Sequence, residues 1–208
     1  MKNNKQTTMT EYLEREYIGK AKDKNYYVKM EIVKETDAKL RMIGILYDDT
    51  ERAMKESTKQ LGDQYTHRTL VRTLFAHIEG ELSLMKQTVI LWHRLNAINL
   101  SPLELRKLVD IPMIFDNSQI AIKPLRIPLK DSLKFTFGLL GSIPGKSAIN
   151  IDTKSPGWIS FCKAITIRDN LMHPKVEENL IMTEQGMEQV ILAWNWFKDI
   201  SSQLLPNK

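Results

Sequence analysis

The clearest pattern of apolar and polar positions in the chain predicts a long helix over residues 64–97. Apolar side chains recur there every three or four residues, which is the period of one buried face of an α-helix. They are Leu70, Leu74, Ile78, Leu82, Met85, Val89, Trp92 and Leu95. We therefore expect one long helix with a buried stripe in this region.

The first 60 residues carry more charge and predict helices with a narrower apolar edge. Residues 10–26 favour a charged lead-in helix with Thr10 as its N-cap, and residues 28–59 favour an exposed helix with one apolar side. We expect residues 1–60 to form a helical extension, and residues 61–208 to form the main helical domain.

The middle of the chain alternates short helices with irregular segments. Residues 102–109 predict a short helix, whereas the prolines of residues 111–130 predict a loop with at most a small hairpin. Residues 132–140 predict another helix, for which Asp131 is the expected N-cap.

Two helices are predicted near the C-terminus. The first begins at Ser155-Pro156 and ends at His173, because Pro174 disfavours the helical conformation of the residue before it. The second begins at Thr183 and runs almost to the end of the chain. Together these patterns predict an all-α fold, a helical bundle with an N-terminal helical extension and a small irregular or hairpin insertion.

Composition places few limits on function. The chain has 208 residues, of which 42% are hydrophobic, and a formal net charge of +5. A positive net charge can attract polyanions such as RNA, but an ordinary, moderately basic surface explains it better, because the basic residues form no dense run. The single cysteine, Cys162, predicts no internal disulfide, and no apolar run approaches the roughly 20 residues that cross a bilayer. We expect a cytoplasmic protein without a membrane segment.

One glycine-rich segment, Gly141–Ser147, resembles a phosphate-binding loop but has the wrong spacing. Three residues separate its glycines where such loops have four, and the residues before it predict a helix where a strand is required. We interpret it as a surface turn.

Arg168 is the most informative residue of the sequence. On the helix predicted to end at His173, it falls within the arc of apolar side chains. A guanidinium is always charged, so this position is costly unless Arg168 meets a carboxylate, a second subunit or a bound anion. A structural ion pair is the alternative to a ligand-binding role.

His173 follows Arg168 by five residues and lies where the helix is predicted to break. The break leaves the imidazole free to turn toward the Arg168 side, so both groups can face one ligand. An imidazole exchanges a proton near neutral pH, and a guanidinium can hold phosphate oxygens. The pair therefore suits phosphodiester cleavage.

The segment Arg168-Asp169-Asn170-Leu171-Met172-His173 resembles the signature of the HEPN superfamily, in which an arginine and a polar residue precede a histidine near a helix end. The resemblance covers mainly residues 64–205. It implies an all-helical bundle, a homodimer with a composite site at its interface, and RNA cleavage without metal or cofactor. It further implies that His173 moves the proton, that Arg168 stabilises the phosphate charge, and that Asp169 or Asn170 orients them. By this resemblance the chain is a toxin or antiviral defence effector, with an antitoxin or regulatory partner.

Glu79 is the best candidate for an acidic partner of this pair, since the neighbouring Gly80 indicates close packing on the long helix. The alternative is a solvated carboxylate. The same arginine-to-histidine spacing recurs at Arg72 and His77, but no helix break follows, so we interpret that copy as structural.

The remaining candidate residues are interpreted as ordinary surface or core residues. The spacing of His67, His77 and His93 matches no metal-binding pattern, and Cys162 is expected to be inert. The leading hypothesis is an endoribonuclease. The alternative is a non-catalytic helical module that binds a protein or RNA, in which Arg168 forms only a structural ion pair.

Overall fold

The computed structural model describes residues 26–109, 114–116, 119–121, 127–144 and 149–203, and the side chains of its first helix from Val33 onward. These residues form six α-helices and one short hairpin. The helices are α1 (Tyr26–Lys59), α2 (Gln64–Arg94), α3 (Pro102–Val109), α4 (Leu129–Leu140), α5 (Pro156–Met172) and α6 (Glu184–Ser202). The predicted all-α fold class is confirmed.

Helix α2 is the centre of the fold. Asp63 caps it by accepting a hydrogen bond from the Thr66 backbone N–H at 2.8 Å. Most of its predicted apolar stripe is buried, whereas Met85, Trp92 and Leu95 are half-buried. The helix contacts α1, α3, α4, α5 and α6. The predicted end at residue 97 is wrong by three residues, because α2 ends at Arg94 and Asn96 adopts a left-handed conformation with φ 56°.

Helix α1 packs along α2, and Gly80 lets the two backbones approach closely. A Cβ at Gly80 would lie 2.6 Å from Leu46 Cδ1 of α1. The close packing that the sequence indicated at Gly80 is therefore confirmed, with α1 as the neighbour. The helix predicted over residues 10–26 falls almost entirely outside the described residues, and the domain boundary near residue 60 stays a prediction.

The segment between α3 and α4 contains the predicted small hairpin. Strands β1 (Ile114–Asp116) and β2 (Gln119–Ala121) pair in antiparallel register, with Phe115 opposite Ile120. Helix α4 begins at Leu129, two residues before the N-cap predicted at Asp131, because the Pro128 carbonyl already accepts hydrogen bonds from the N–H groups of Asp131 and Ser132. The helix ends directly before Gly141, so a helix precedes the glycine-rich turn, as predicted.

Helices α5 and α6 form a packed pair that closes the main core against α2. A single 3₁₀ turn, Glu177–Leu180, lies between them. The largest side chains that are fully buried there are Phe137, Phe161, Phe197, Leu70, Leu74 and Ile78. A fully buried side chain of this size contributes roughly 1.5–3 kcal/mol, so this cluster holds α5 firmly on α2. Within the described residues, no helix has the length and apolarity that a membrane crossing requires.

Candidate functional site

The site begins with helix α5, which carries Arg168 on its last turns. Ser155 accepts a hydrogen bond from the Trp158 backbone N–H at 3.3 Å, and Pro156 occupies the first turn, so the helix begins where the sequence predicts. Trp158, Phe161, Ala164 and Leu171 are buried. Met172, which shares the predicted apolar arc, is 46% exposed because the helix ends there.

The Arg168 side chain extends from α5 to α2. There it contacts a carboxylate, which a charged group among apolar side chains requires. Its guanidinium forms an ion pair with Glu79 of α2 and a second one, at 2.8 Å, with Asp169. Its Cζ lies 6.0 Å from the centre of the buried Phe75 ring. The side chain of Arg168 is 24% exposed. The predicted contact between Glu79 and Arg168 is therefore present.

His173 lies immediately beyond the helix, in a non-helical conformation with φ −133° and ψ 59°. Its backbone N–H donates to the Asp169 carbonyl at 2.9 Å, which closes the last turn of α5. The side chain is exposed, and among the described residues its imidazole forms no hydrogen bond or ion pair. Arg168 and His173 thus lie at the same end of α5 with no hydrogen bond between their side chains.

The two other polar residues of the motif are also exposed. Asp169 pairs with Arg168, whereas Asn170 faces solvent and forms no side-chain hydrogen bond within the described part of the chain. Of these two candidates for orienting Arg168, the structure brings only Asp169 into contact with it.

Sequence reasoning missed a group of three polar residues on α2 that bind the end of α5 and the chain that follows it. The Gln64 amide forms two hydrogen bonds with the Met182 backbone, at 2.9 and 2.7 Å. Arg68 donates to the Leu180 carbonyl at 3.0 Å, and Arg72 donates to the Leu171 carbonyl at 3.4 Å. We call Gln64, Arg68 and Arg72 the α2 clamp.

The α2 clamp determines where His173 lies. Its residues are spaced four apart, so they share one face of α2. They bind backbone atoms on both sides of His173, at Leu171 before it and at Leu180 and Met182 after it. Only the spacing of the three polar residues could have indicated this role, because their partners are main-chain atoms.

Arg72 and His77 have the same sequence spacing as Arg168 and His173, and both form structural contacts. His77 is 2% exposed and contacts Thr50 Oγ1 at 3.1 Å through Nδ1 and Glu81 Oε1 at 3.0 Å through Nε2. Arg72 is part of the α2 clamp. The interpretation of this pair as structural agrees with these contacts.

The other candidates form no recognisable site. Cys162 is half-buried and free. His93 accepts a hydrogen bond from the Leu100 backbone N–H at 3.2 Å in the turn after α2. Among the described residues, no three His, Cys, Asp or Glu side chains are grouped so that they could hold a metal ion.

Comparison of the chain with protein-family models, curated proteins and solved structures found no match. The resemblance to the HEPN superfamily therefore stays an expectation that rests on the motif residues.

Proposed function

We propose that the chain is a metal-independent endoribonuclease that acts as a homodimer, with Arg168 and His173 at its catalytic centre. In this proposal the protein is a cytoplasmic toxin or antiviral defence effector that needs no cofactor, and an antitoxin or regulatory partner controls it. The observation that carries the proposal is the placement of Arg168, which Glu79 holds at the end of α5 beside an exposed histidine.

Arg168 retains capacity to bind a phosphate despite its two ion pairs. A guanidinium has more N–H donors than its contacts with Glu79 and Asp169 use. Asp169 is 53% exposed, so it can turn away at little cost when a phosphate oxygen takes its place. Glu79 is a positioning residue in this scheme.

The exposed imidazole of His173 is accessible to RNA. It takes the proton of a ribose 2′-hydroxyl while that oxygen attacks the adjacent phosphorus. The bond from phosphorus to the 5′-oxygen breaks, and the leaving oxygen takes a proton from a second imidazole. Arg168 stabilises the negative charge that develops on the phosphate oxygens. The products are a 2′,3′-cyclic phosphate and a 5′-hydroxyl.

The second imidazole of this scheme comes from another copy of the chain. Several residues close to His173 along the chain have exposed apolar side chains, namely Met172, Val176 and Ile181. Tyr65 is also exposed. It is adjacent in the chain to Gln64, whose side-chain amide binds the backbone of Met182, the residue after Ile181. Apolar groups in this arrangement are typical of a surface that a partner covers, and a second copy would bring its own His173 to the site.

One observation favours a second candidate function, a non-catalytic module that binds a protein or RNA. Glu79 and Asp169 already match the charge of Arg168, so the arginine also fits a purely structural role. In that case Arg168→Ala lowers the stability of the fold, and His173→Ala has no effect on any activity.

The test is RNA cleavage by the purified protein in the presence of EDTA. The proposal expects cleavage by the wild-type protein and its loss, by about 100-fold or more, in both Arg168→Ala and His173→Ala. Lys55→Ala is the matched control, because Lys55 is an exposed cation on α1. Circular dichroism must show that each variant is folded. If the wild-type protein leaves RNA intact, or if folded His173→Ala cleaves at the wild-type rate, the proposal is wrong.

A further inference from the structure

A cleft of about 220 Å³ lies between α1, α2 and α3, away from the Arg168 motif. None of Glu79, Arg168, Asp169, Asn170 or His173 lines it. Its volume is below the roughly 300–1,000 Å³ of sites for drug-sized ligands, so it suits a compact molecule.

The lining of the cleft is rich in cations. The cations are Lys39 of α1 and Lys86 and Arg94 of α2. Among the described residues that line the cleft, Glu35 is the only one with a carboxylate. Lys86 is only 8% exposed, and Lys39 is half-buried. Cations gathered in a partly desolvated cleft attract an anion more strongly than the same charges spread over a surface.

The charges of the cleft also act on one another. Burial lowers the pKa of Lys39; Glu35 opposes this effect, and the positive charge of Lys86 adds to it. The Lys39 ammonium is held in place by a 2.7 Å hydrogen bond to Ser83 Oγ. A bound anion would favour the charged form of Lys39.

The cleft also has apolar lining, which comes from α2 and α3. Its residues are Ile90, Leu91, Leu108 and Val109, and Leu108 is 3% exposed. An inorganic ion would leave this lining without a partner, whereas an organic group attached to the anion would cover it.

From this arrangement we propose that the cleft binds a small phosphate monoester whose organic part is apolar. Lys39 and Arg94 hold the phosphate oxygens, and the guanidinium supplies paired N–H donors. The apolar lining from α2 and α3 contacts the organic part. This site is separate from the proposed nuclease centre and does not depend on it.

The test is calorimetric titration of the 208-residue chain with phenyl phosphate as the probe. We expect saturable binding of one molecule per chain, weakened by added salt. Lys39→Gln and Arg94→Gln should each weaken binding about tenfold or more, because each removes charge-assisted hydrogen bonds. The control Lys55→Gln, an exposed lysine of α1 outside the cleft, should bind as the wild-type protein does.

Two further measurements separate this site from other sources of phosphate binding. Arg168→Ala should bind phenyl phosphate with unchanged affinity, because Arg168 lies outside the cleft. Inorganic phosphate should bind more weakly than phenyl phosphate, because it leaves the apolar lining uncovered. The proposal is overturned if the wild-type protein does not bind the probe, or if the two cleft variants bind it normally. Binding that needs Arg168, or equal affinity for inorganic phosphate, overturns it as well.

Discussion

Removal of the Gln64 amide should loosen the chain between α5 and α6 at one identifiable residue, Met182. The Met182 N–H donates to Gln64 Oε1 at 2.7 Å, and Gln64 Nε2 donates to the Met182 carbonyl at 2.9 Å. Met182 is only 5% exposed. The substitution Gln64→Ala therefore leaves two backbone groups without partners, unless water enters the space of the lost amide.

The size of the effect follows from those two groups. Because water that enters the vacated space can pair with one of the two groups, one buried polar group stays without a partner, which costs about 1–3 kcal/mol. Since about 1.4 kcal/mol corresponds to a factor of ten, local opening at Met182 should become roughly 5- to 150-fold more frequent.

Amide hydrogen exchange measured by NMR reports this opening directly, because the exchanging proton is the Met182 N–H proton, which is hydrogen-bonded to Gln64 Oε1. The Met182 amide should exchange faster in Gln64→Ala, while the amide of Val71, in the core of α2, keeps its rate. Gln185→Ala, which removes an exposed amide from the first turn of α6, is the control. An unchanged Met182 rate in Gln64→Ala, or an equal increase at Val71, would refute the proposed role of the α2 clamp.

Two further predictions concern helix packing and helix capping. A Cβ at Gly157 would lie 2.2 Å from Trp196 Cδ1, so Gly157→Ala should cost about 1–3 kcal/mol of stability. Gly138→Ala, which meets open space within α4, should gain up to about 1 kcal/mol, and equal urea midpoints for the two variants would contradict this account. The hydrogen bond from the Thr66 backbone N–H lowers the pKa of Asp63 in the folded protein. The cap of α2 therefore stabilises the fold fully above the pKa of an unfolded aspartate. This stabilisation is lost as the pH falls through the lower pKa of Asp63 in the folded protein. The difference in melting temperature between the wild-type protein and Asp63→Ala should shrink over that pH range, and a constant difference would contradict the cap.

Most of the helices could be predicted from the sequence because their signals are local. The caps at Ser155 and Thr183 form hydrogen bonds within their own first turns, so the residue types alone indicate where α5 and α6 begin. The 3₁₀ turn between these helices was not predicted. It depends on Asn179, whose side-chain oxygen accepts hydrogen bonds from the N–H groups of Lys175 and Val176.

The candidate site was only partly predictable. The ion pair between Arg168 and Glu79 could be anticipated, because a guanidinium in an apolar arc needs a carboxylate and Gly80 indicated close packing beside Glu79. The α2 clamp could not be anticipated, because Gln64, Arg68 and Arg72 bind backbone atoms of residues about a hundred or more positions away in the sequence. Main-chain partners carry no side-chain signature, so the four-residue spacing of Gln64, Arg68 and Arg72 indicates a shared face but does not identify what that face binds.

The chemistry proposed for Arg168 and His173 is tested most directly by the ends of the RNA fragments that the purified protein produces with EDTA present. Mass spectrometry should find 2′,3′-cyclic phosphate and 5′-hydroxyl ends from the wild-type protein and no fragments from His173→Ala. RNA with a methyl group on every 2′-oxygen should stay intact, because the attacking oxygen is blocked. Fragments with 5′-phosphate ends, or cleavage of the methylated RNA, would contradict the account.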